Sequence, residues 1–310
     1  MKESQNDQHA AGRETRGSVV VLGNFDGVHR GHLQLIRSAR AAEPGARLVA
    51  VTFWPHPMSV IRPDQAPPLL TSLPRRRELL REAGVDEVLV VHFTSEVASW
   101  SPEQFVESTL RPLDPVRIVV GENFRFGFRA SGDAGTLREL GEGQWKVQVV
   151  PLLTDGSHPS SSTLIRHAVA EGDFGRVREL TDQVFRCSGV VVRGDQRGRE
   201  LGYPTANVAL TPGMAVPADG VYAGWVTRLD GPWPRWPAAI SVGTNPTFGG
   251  VERRVEAYVL DRTDLELYGV EIGIDFYARM RGQVKYEGPE SLIRQMRQDV
   301  EEIREVLREP

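Results

Sequence analysis

The chain has 310 residues, a length that sets a prior of about two domains. Its 40% hydrophobic and 25% charged content allows sizeable buried cores and excludes fibrous and wholly disordered readings. A formal net charge of −4 with a pI near 6.0 gives no electrostatic footprint for nucleic acid or an anionic membrane. The single cysteine, Cys187, excludes an intrachain disulfide or a thiolate zinc cluster and fits a reducing cytoplasm. Lys2, Lys146 and Lys285 are the only lysines and none follows a glycine, so there is no Walker A loop. No apolar run approaches the roughly 18 residues of a membrane span.

Residues 1–17 are polar, lack an apolar signal-peptide segment and read as a disordered tail. From Ser18 the pattern alternates: SVVVL (18–22) is a strand, GNFDG a turn, and 31–42 carries Leu33, Ile36 and Ala39 at helical spacing. RLVAVTF (47–53) is a strand ended by Pro-His-Pro, 75–83 a helix, VDEVLVVHF (85–93) a strand and 102–110 a helix. VRIVVG (116–121) and WKVQVV (145–150) are further strands. Strands alternating with helices imply an α/β fold with a doubly wound parallel sheet. Helices follow over 162–171 and near 175–180. After Cys187 come short runs separated by turn signals, from GVVVRG to GVEIGIDFYARM, the pattern of an antiparallel barrel or sandwich. A terminal helix over 289–307 places Leu292, Met296, Val300, Ile303 and Leu307 on one face. The boundary falls at 183–187 and divides an N-terminal domain, 18–184, from a C-terminal one, 185–310.

Four segments carry chemistry. In GNFDGVHRGH (23–32), His29 and His32 are three apart and share a face at a helix start. A helix N-terminus attracts anions, and Gly23, Gly27 and Gly31 admit a ligand close to the backbone. The segment reads as a polyphosphate site; the plainer alternative is a glycine turn with two surface histidines. SSTLIR (161–166) offers hydroxyls and Arg166, for capping or for phosphate. In GVVVRGDQRGRELGYPTAN (189–207), Gly194, Gly198 and Gly202 precede Thr205 and Asn207. Backbone N–H groups there suit phosphates and the two side-chain oxygens suit Mg²⁺, against the alternative of a long hairpin loop. In VEAYVL, Val255, Ala257 and Val259 face one way and Glu256 the other, as an edge charge or a base in a pocket. Arg75, Arg76 and Arg77 read as the solvated first turn of a helix. Trp225, Trp233 and Trp236 read as packing, Cys187 as a buried residue at the junction, and His9 and His92 receive no role.

Taken together, GNFDGVHRGH, TFWPHP (52–57), VVGENFRFG (119–127) and SSTLIR resemble the adenylyltransferase half of bacterial bifunctional riboflavin kinase/FAD synthetases, a branch of the HxGH nucleotidylyltransferases. The segment 189–207 resembles the riboflavin kinase signature, and SVGTNPTFGG, RRVEAYVLD and LYGVEIGIDFYARMRG extend the likeness, which covers residues 18–307. The junction LTDQVFRCSG (180–189) keeps an aromatic at Phe185 but lacks the family's Gly-Arg-Pro.

The resemblance implies a Rossmann-like adenylyltransferase domain that makes FAD from FMN and ATP, and a barrel with a terminal helix that makes FMN from riboflavin and ATP, with Mg²⁺. By the same resemblance His29, His32, Arg166 and Glu256 are catalytic. Gly23, Asn24, Phe25, Asp26, Gly31, Asn123, Ser162 and Thr163 bind nucleotide in the first domain. Gly194, Gly198, Gly202, Thr205 and Asn207 bind it in the second, Thr205 and Asn207 through the metal. His56, Asn245, Thr247 and Phe248 approach flavin. The expected partners are riboflavin, FMN and ATP, with no nucleic acid and no membrane, in the cytoplasm. An adenylyltransferase with a catalytically silent barrel, a nucleic-acid-binding HxGH protein and a flavin sensor without turnover are the competing readings.

Overall fold

The computed structural model describes residues 17–155, 158, 159, 161–194, 198, 202–247, 250–284 and 286–308; the expected N-terminal tail lies outside them apart from Gly17. They form two compact units, one of residues 17–25, 31–66 and 77–153, the other of Asp26–Arg30, Pro67–Arg76 and the described residues from Thr154 onward.

In the first unit the apolar runs read as nearly continuous hydrophobic stretches because a parallel sheet is covered on both faces. In chain order, β1 (Ser18–Leu22) leads to α1 (Arg30–Ala42), β2 (Arg47–Trp54), α2 (Pro57–Ile61) and α3 (Leu73–Glu82). Then come β3 (Glu87–His92), α4 (Ser95–Ala98), α5 (Pro102–Phe105), β4 (Pro115–Gly121), α6 (Ala134–Gly141) and β5 (Lys146–Val150). The strand order is β3-β2-β1-β4-β5, all parallel. The order reverses between β1 and β4, and the carboxyl ends of such a pair flank the crevice where doubly wound sheets take ligands. The single helix expected over 102–110 is instead one α turn followed by a π turn over Val106–Leu110. Phe105, Val106, Thr109 and Leu110 are all buried, and the wider turn gathers them into a narrower arc facing the core.

The second unit contains the two-residue strands β6 (Thr154–Asp155) and β7 (His158–Pro159), then α7 (Ser162–Glu171) and α8 (Phe174–Thr181). The barrel strands are β8 (Phe185–Val192), β9 (Ala206–Leu210), β10 (Gly220–Arg228), β11 (Trp236–Thr247), β12 (Gly250–Val259) and β13 (Glu271–Arg281). They close antiparallel in the order β10-β11-β12-β9-β8-β13, with β13 paired back to β10, so no edge is left to manage. Alternation sends Val255, Ala257 and Val259 of β12 into the barrel core with Ile240, Val208 and Phe276. The last helix, α9 (Pro289–Val306), lays Val300 and Ile303 over Val221, Ala223 and Leu260 outside the barrel. Its buried Asp299 grips Arg281 through two contacts at 2.9 and 2.5 Å.

The barrel core does not stop at Phe185. Ile165, Ala168 and Val169 of α7 and Phe174, Val177 and Leu180 of α8 belong to the same cluster of buried residues. Phe174 lies 5.2 Å from Phe276 and 5.9 Å from Phe185, with Tyr222 edge-on at 5.6 Å. Cys187 is buried, as expected, and burial pushes its thiol up to about 12. Trp225 and Trp236 are also buried, while Trp233 is exposed under the Arg228 guanidinium. Phe174 is 1% exposed, so Phe174→Ala is expected to lower unfolding free energy by about 3–5 kcal/mol. Urea unfolding followed by tryptophan fluorescence measures this, and a loss under about 1 kcal/mol would detach α8 from the barrel core.

Candidate active sites

The chain leaves β1 at Gly23, whose N–H bonds to Val51 O at 3.2 Å, and takes left-handed conformations before α1 at Phe25 (φ 51°), Gly27 (φ 84°) and Val28 (φ 37°). Positive φ is costly for a β-branched residue, and Val28 and Phe25 are both fully buried. The surroundings hold the loop in place. A Cβ on Gly27 would fall 2.9 Å from Leu70 Cδ1, and the Gly27 N–H donates to Thr71 Oγ1 at 3.3 Å.

Asp26 is the node of this loop. Its side chain is 1% exposed. It accepts from the N–H groups of Leu70 (3.0 and 3.1 Å) and Thr71 (3.0 Å) and from the Thr71 hydroxyl (3.1 Å). It also accepts from Nη2 of Arg76 at 3.3 Å and Nη2 of Arg166 at 2.6 Å. The backbone oxygen of Asp26 takes the Ser162 hydroxyl at 2.8 Å. Arg166 further donates from Nε to Pro68 O at 2.7 Å, and its Nη1 makes no hydrogen bond to the described residues. Thr163 is exposed in the first turn of α7, which Ser161 caps by accepting from Leu164 N–H. Asp26, expected to touch nucleotide, thus directs its carboxylate entirely to protein donors.

Arg76 corrects the reading of the arginine triplet as solvated: it is 0% exposed. It lies one helical turn before Leu79 and Leu80, both buried, and that shared face is the sequence signal that marks it. Arg77 follows the expectation and is exposed.

His29 sits immediately before α1 and is 7% exposed. Burial lowers its pKa from 6.5 to about 4; the nearby Arg166 charge acts in the same direction and Asp26 opposes it. At neutral pH the ring is therefore an uncharged donor rather than the cation that an anion site suggests. His32, in the first turn of α1, meets the Phe25 ring edge-on at 5.0 Å, and Gly31 stands beside it in the chain.

In the first unit, Asn24 and Asn123 follow the carboxyl ends of β1 and β4, at the reversal of strand order. Asn24 O accepts the Thr52 hydroxyl at 2.8 Å, and Asn123 is exposed. His56 is buried and caps α2, its Nδ1 accepting from Met58 N–H at 3.2 Å.

The barrel brings together residues that the sequence separates by fifty positions. Asn207 of β9 lies directly opposite Glu256 of β12, and the Thr205 hydroxyl donates to Glu256 Oε2 at 3.1 Å. A Cβ on Gly194 would fall 2.4 Å from the Asn207 amide, so any larger residue there displaces that side chain. Gly198 O accepts from Tyr203 N–H at 2.8 Å, and Gly202 has a positive φ of 86°. Asn245 and Thr247 belong to β11, paired with Glu252 and Gly250; Phe248 lies outside the described residues. Among the described residues, no group of three or more His, Cys, Asp or Glu could hold a metal ion.

A doubly wound parallel sheet, together with a closed barrel that sets Thr205 and Asn207 beside Glu256, is the architecture of a two-part nucleotide-dependent transferase. The FAD synthetase family model matches residues 11–164 and the riboflavin kinase model residues 181–307. The bifunctional riboflavin kinase/FMN adenylyltransferase of Listeria monocytogenes is 35% identical over 92% of this chain and 91% of its own. That of Bacillus subtilis is 34% identical over 95% and 94%. The chain belongs to the bifunctional riboflavin kinase/FMN adenylyltransferase family. A solved structure described as a macrolide-efflux protein from Streptococcus pneumoniae superposes with a TM-score of 0.83 at 32% identity, covering 95% of this chain and 96% of that one. Among the described residues, no helix is long and apolar enough to cross a membrane.

The depressed His29 pKa has a consequence for stability. Between pH 6.5 and about 4 the unfolded chain binds a proton that the folded chain refuses. This contribution is complete above the unfolded pKa and is lost as pH falls through that window. The full shift amounts to roughly 3 kcal/mol. Wild-type protein is therefore expected to lose about that much more stability between pH 7 and pH 4 than His29→Gln. Denaturant midpoints at the two pH values check it, and parallel pH dependences would contradict a buried neutral imidazole.

Proposed function

We propose that the chain makes FMN from riboflavin and ATP in its barrel segment, 185–310, and FAD from FMN and ATP in its segment 18–184, in the cytoplasm. The observation that carries both activities, rather than adenylylation with a silent barrel, is the Thr205 hydroxyl on Glu256 Oε2 at 3.1 Å with Asn207 in register opposite. A base and two oxygen donors meet there, as phosphorylation of an alcohol requires.

In the barrel, a ribityl hydroxyl oxygen attacks the γ-phosphorus, its proton passes to Glu256, and the bond to ADP breaks. Thr205 and Asn207 offer the hard oxygen donors that Mg²⁺ takes beside phosphates and water. When bound, the ion neutralises charge on the β- and γ-phosphates. Gly194, Gly198 and Gly202 leave room for phosphate against backbone, and Asn245, Thr247 and Phe248 are assigned to flavin.

In the other segment an oxygen of the FMN phosphate attacks the ATP α-phosphorus and pyrophosphate leaves. The nucleophile is already largely dianionic at pH 7, because its second pKa is near 6, so positioning and charge stabilisation do the chemistry. The neutral His29 contributes an N–H donor and Arg166 its Nη1. His32 acts alongside them, with Gly23, Asn24, Phe25, Gly31, Asn123, Ser162 and Thr163 on the nucleotide and His56 toward the flavin phosphate.

Pure protein incubated with riboflavin, ATP and Mg²⁺, with flavins resolved by chromatography, is expected to show transient FMN followed by FAD. His29→Ala should accumulate FMN, with FAD formation reduced about 10²–10³-fold. Glu256→Gln should form FMN about 10²–10⁴-fold more slowly while still converting supplied FMN to FAD. Wild-type FMN formation by Glu256→Gln would remove this carboxylate from the mechanism.

A further inference from the structure

We propose that Arg76, which lies outside every motif of the sequence, is a positioning residue for adenylyl transfer, acting through Asp26 on the direction in which Arg166 presents its guanidinium. The proposal rests on the reading that Arg166 meets the phosphates.

Arg76 has no exposed surface, and its Nη2 reaches Asp26 Oδ1 at 3.3 Å while its Nε reaches Thr71 Oγ1 at 3.4 Å. Arg166 takes the other oxygen, Oδ2, at 2.6 Å. One buried carboxylate is thus divided between two guanidinium groups, one oxygen to each. The consequence for Arg166 is geometric. Nε is fixed by Pro68 O at 2.7 Å and Nη2 by Asp26. A planar guanidinium held at two nitrogens has its third nitrogen aimed as well, and Nη1 is the one without a hydrogen bond to the described residues.

Without Arg76, Oδ1 keeps the N–H groups of Leu70 and Thr71 and the Thr71 hydroxyl but loses its guanidinium, and the planar fork of Arg166, which favours bidentate pairing with carboxylates, is free to turn toward it. That pairing would draw a second nitrogen of Arg166 onto Asp26 and take it from the phosphate. The trio of Arg76, Asp26 and Arg166 also carries one net positive charge, where Asp26 with Arg166 alone carries none. Arg76 therefore sets both the aim of the donor and the charge behind it.

The test is a double-mutant cycle on FMN-to-FAD turnover with Arg76→Met, Arg166→Met and the double variant. Riboflavin-to-FMN turnover in the same preparations reports folding. The expected result is a fall in adenylylation kcat of tenfold or more for Arg76→Met, with kinase turnover within threefold of wild type. The double variant should be no slower than Arg166→Met alone, because the two residues act as one unit. A silent Arg76→Met, or losses that multiply in the double variant, overturns the proposal while leaving the role of Arg166 intact. A silent Arg166→Met overturns the phosphate role of Arg166, and the proposal with it. Should Arg76→Met fail to fold, Arg76→Lys decides. It keeps the charge but lacks a fork that reaches Asp26 and Thr71 together, so a several-fold kcat loss absent in the Arg166→Met background supports the proposal, and wild-type turnover overturns it.

Discussion

One buried carboxylate organises the loop after β1. Asp26 accepts hydrogen bonds from two backbone N–H groups, one hydroxyl and two guanidinium groups. An ionised group with almost no access to water is tolerable only when it is satisfied to this degree. Because Asp26 lies in the loop after β1 and its partners come from Leu70 to Arg76 and from α7, the carboxylate joins stretches of chain that lie up to 140 residues apart. Removing one side of such a buried pair typically costs about 3–5 kcal/mol, since the survivor is left uncompensated.

The same node reaches the barrel. The stretch it grips at Leu70 and Thr71 is bonded next door, through Leu69, to Gly213 O at 2.8 Å and Ala215 N–H at 2.8 Å. Ala215 in turn packs in the barrel core and its carbonyl faces the Cys187 thiol. Helix α7, which carries Ser162 and Arg166, turns Ile165, Ala168 and Val169 into that core as well. A division of the chain near 185 therefore describes where the two reactions are assigned, while the compact unit that holds the barrel also takes in Asp26–Arg30, Pro67–Arg76 and the chain from Thr154.

Much of this was legible in the amino-acid order and some was not. Strand β1 and helix α7 fall on the residues that periodicity marks, because apolar burial and the serine cap are local signals. Glu256 could be placed on the face opposite Val255 and Ala257 by alternation alone, but its bond to Thr205 depends on which strands pair around the barrel. Arg76 was misread for a related reason. Three consecutive arginines suggest solvent, and the partner that makes burial tolerable lies fifty residues upstream. The charge state of His29 was hidden too: a histidine at a helix start suggests an anion-binding cation, and only the depth of its burial makes it neutral. The short π turn after α5 reflects four side chains competing for one core face, which no propensity describes.

On the proposed function, Asp26 serves adenylylation by holding Arg166 and the Leu70–Thr71 stretch rather than by touching nucleotide. Steady-state FAD formation by Asp26→Asn, with FMN formation measured on the same preparation, tests it most directly. An amide of the same shape keeps one acceptor oxygen but loses the charge that two guanidinium groups share, and it turns a donor toward N–H groups. Small misplacements of this kind cost on the order of 10² in rate. The account predicts that FAD formation falls by about that factor while FMN formation persists. FAD formation at the wild-type rate would contradict it.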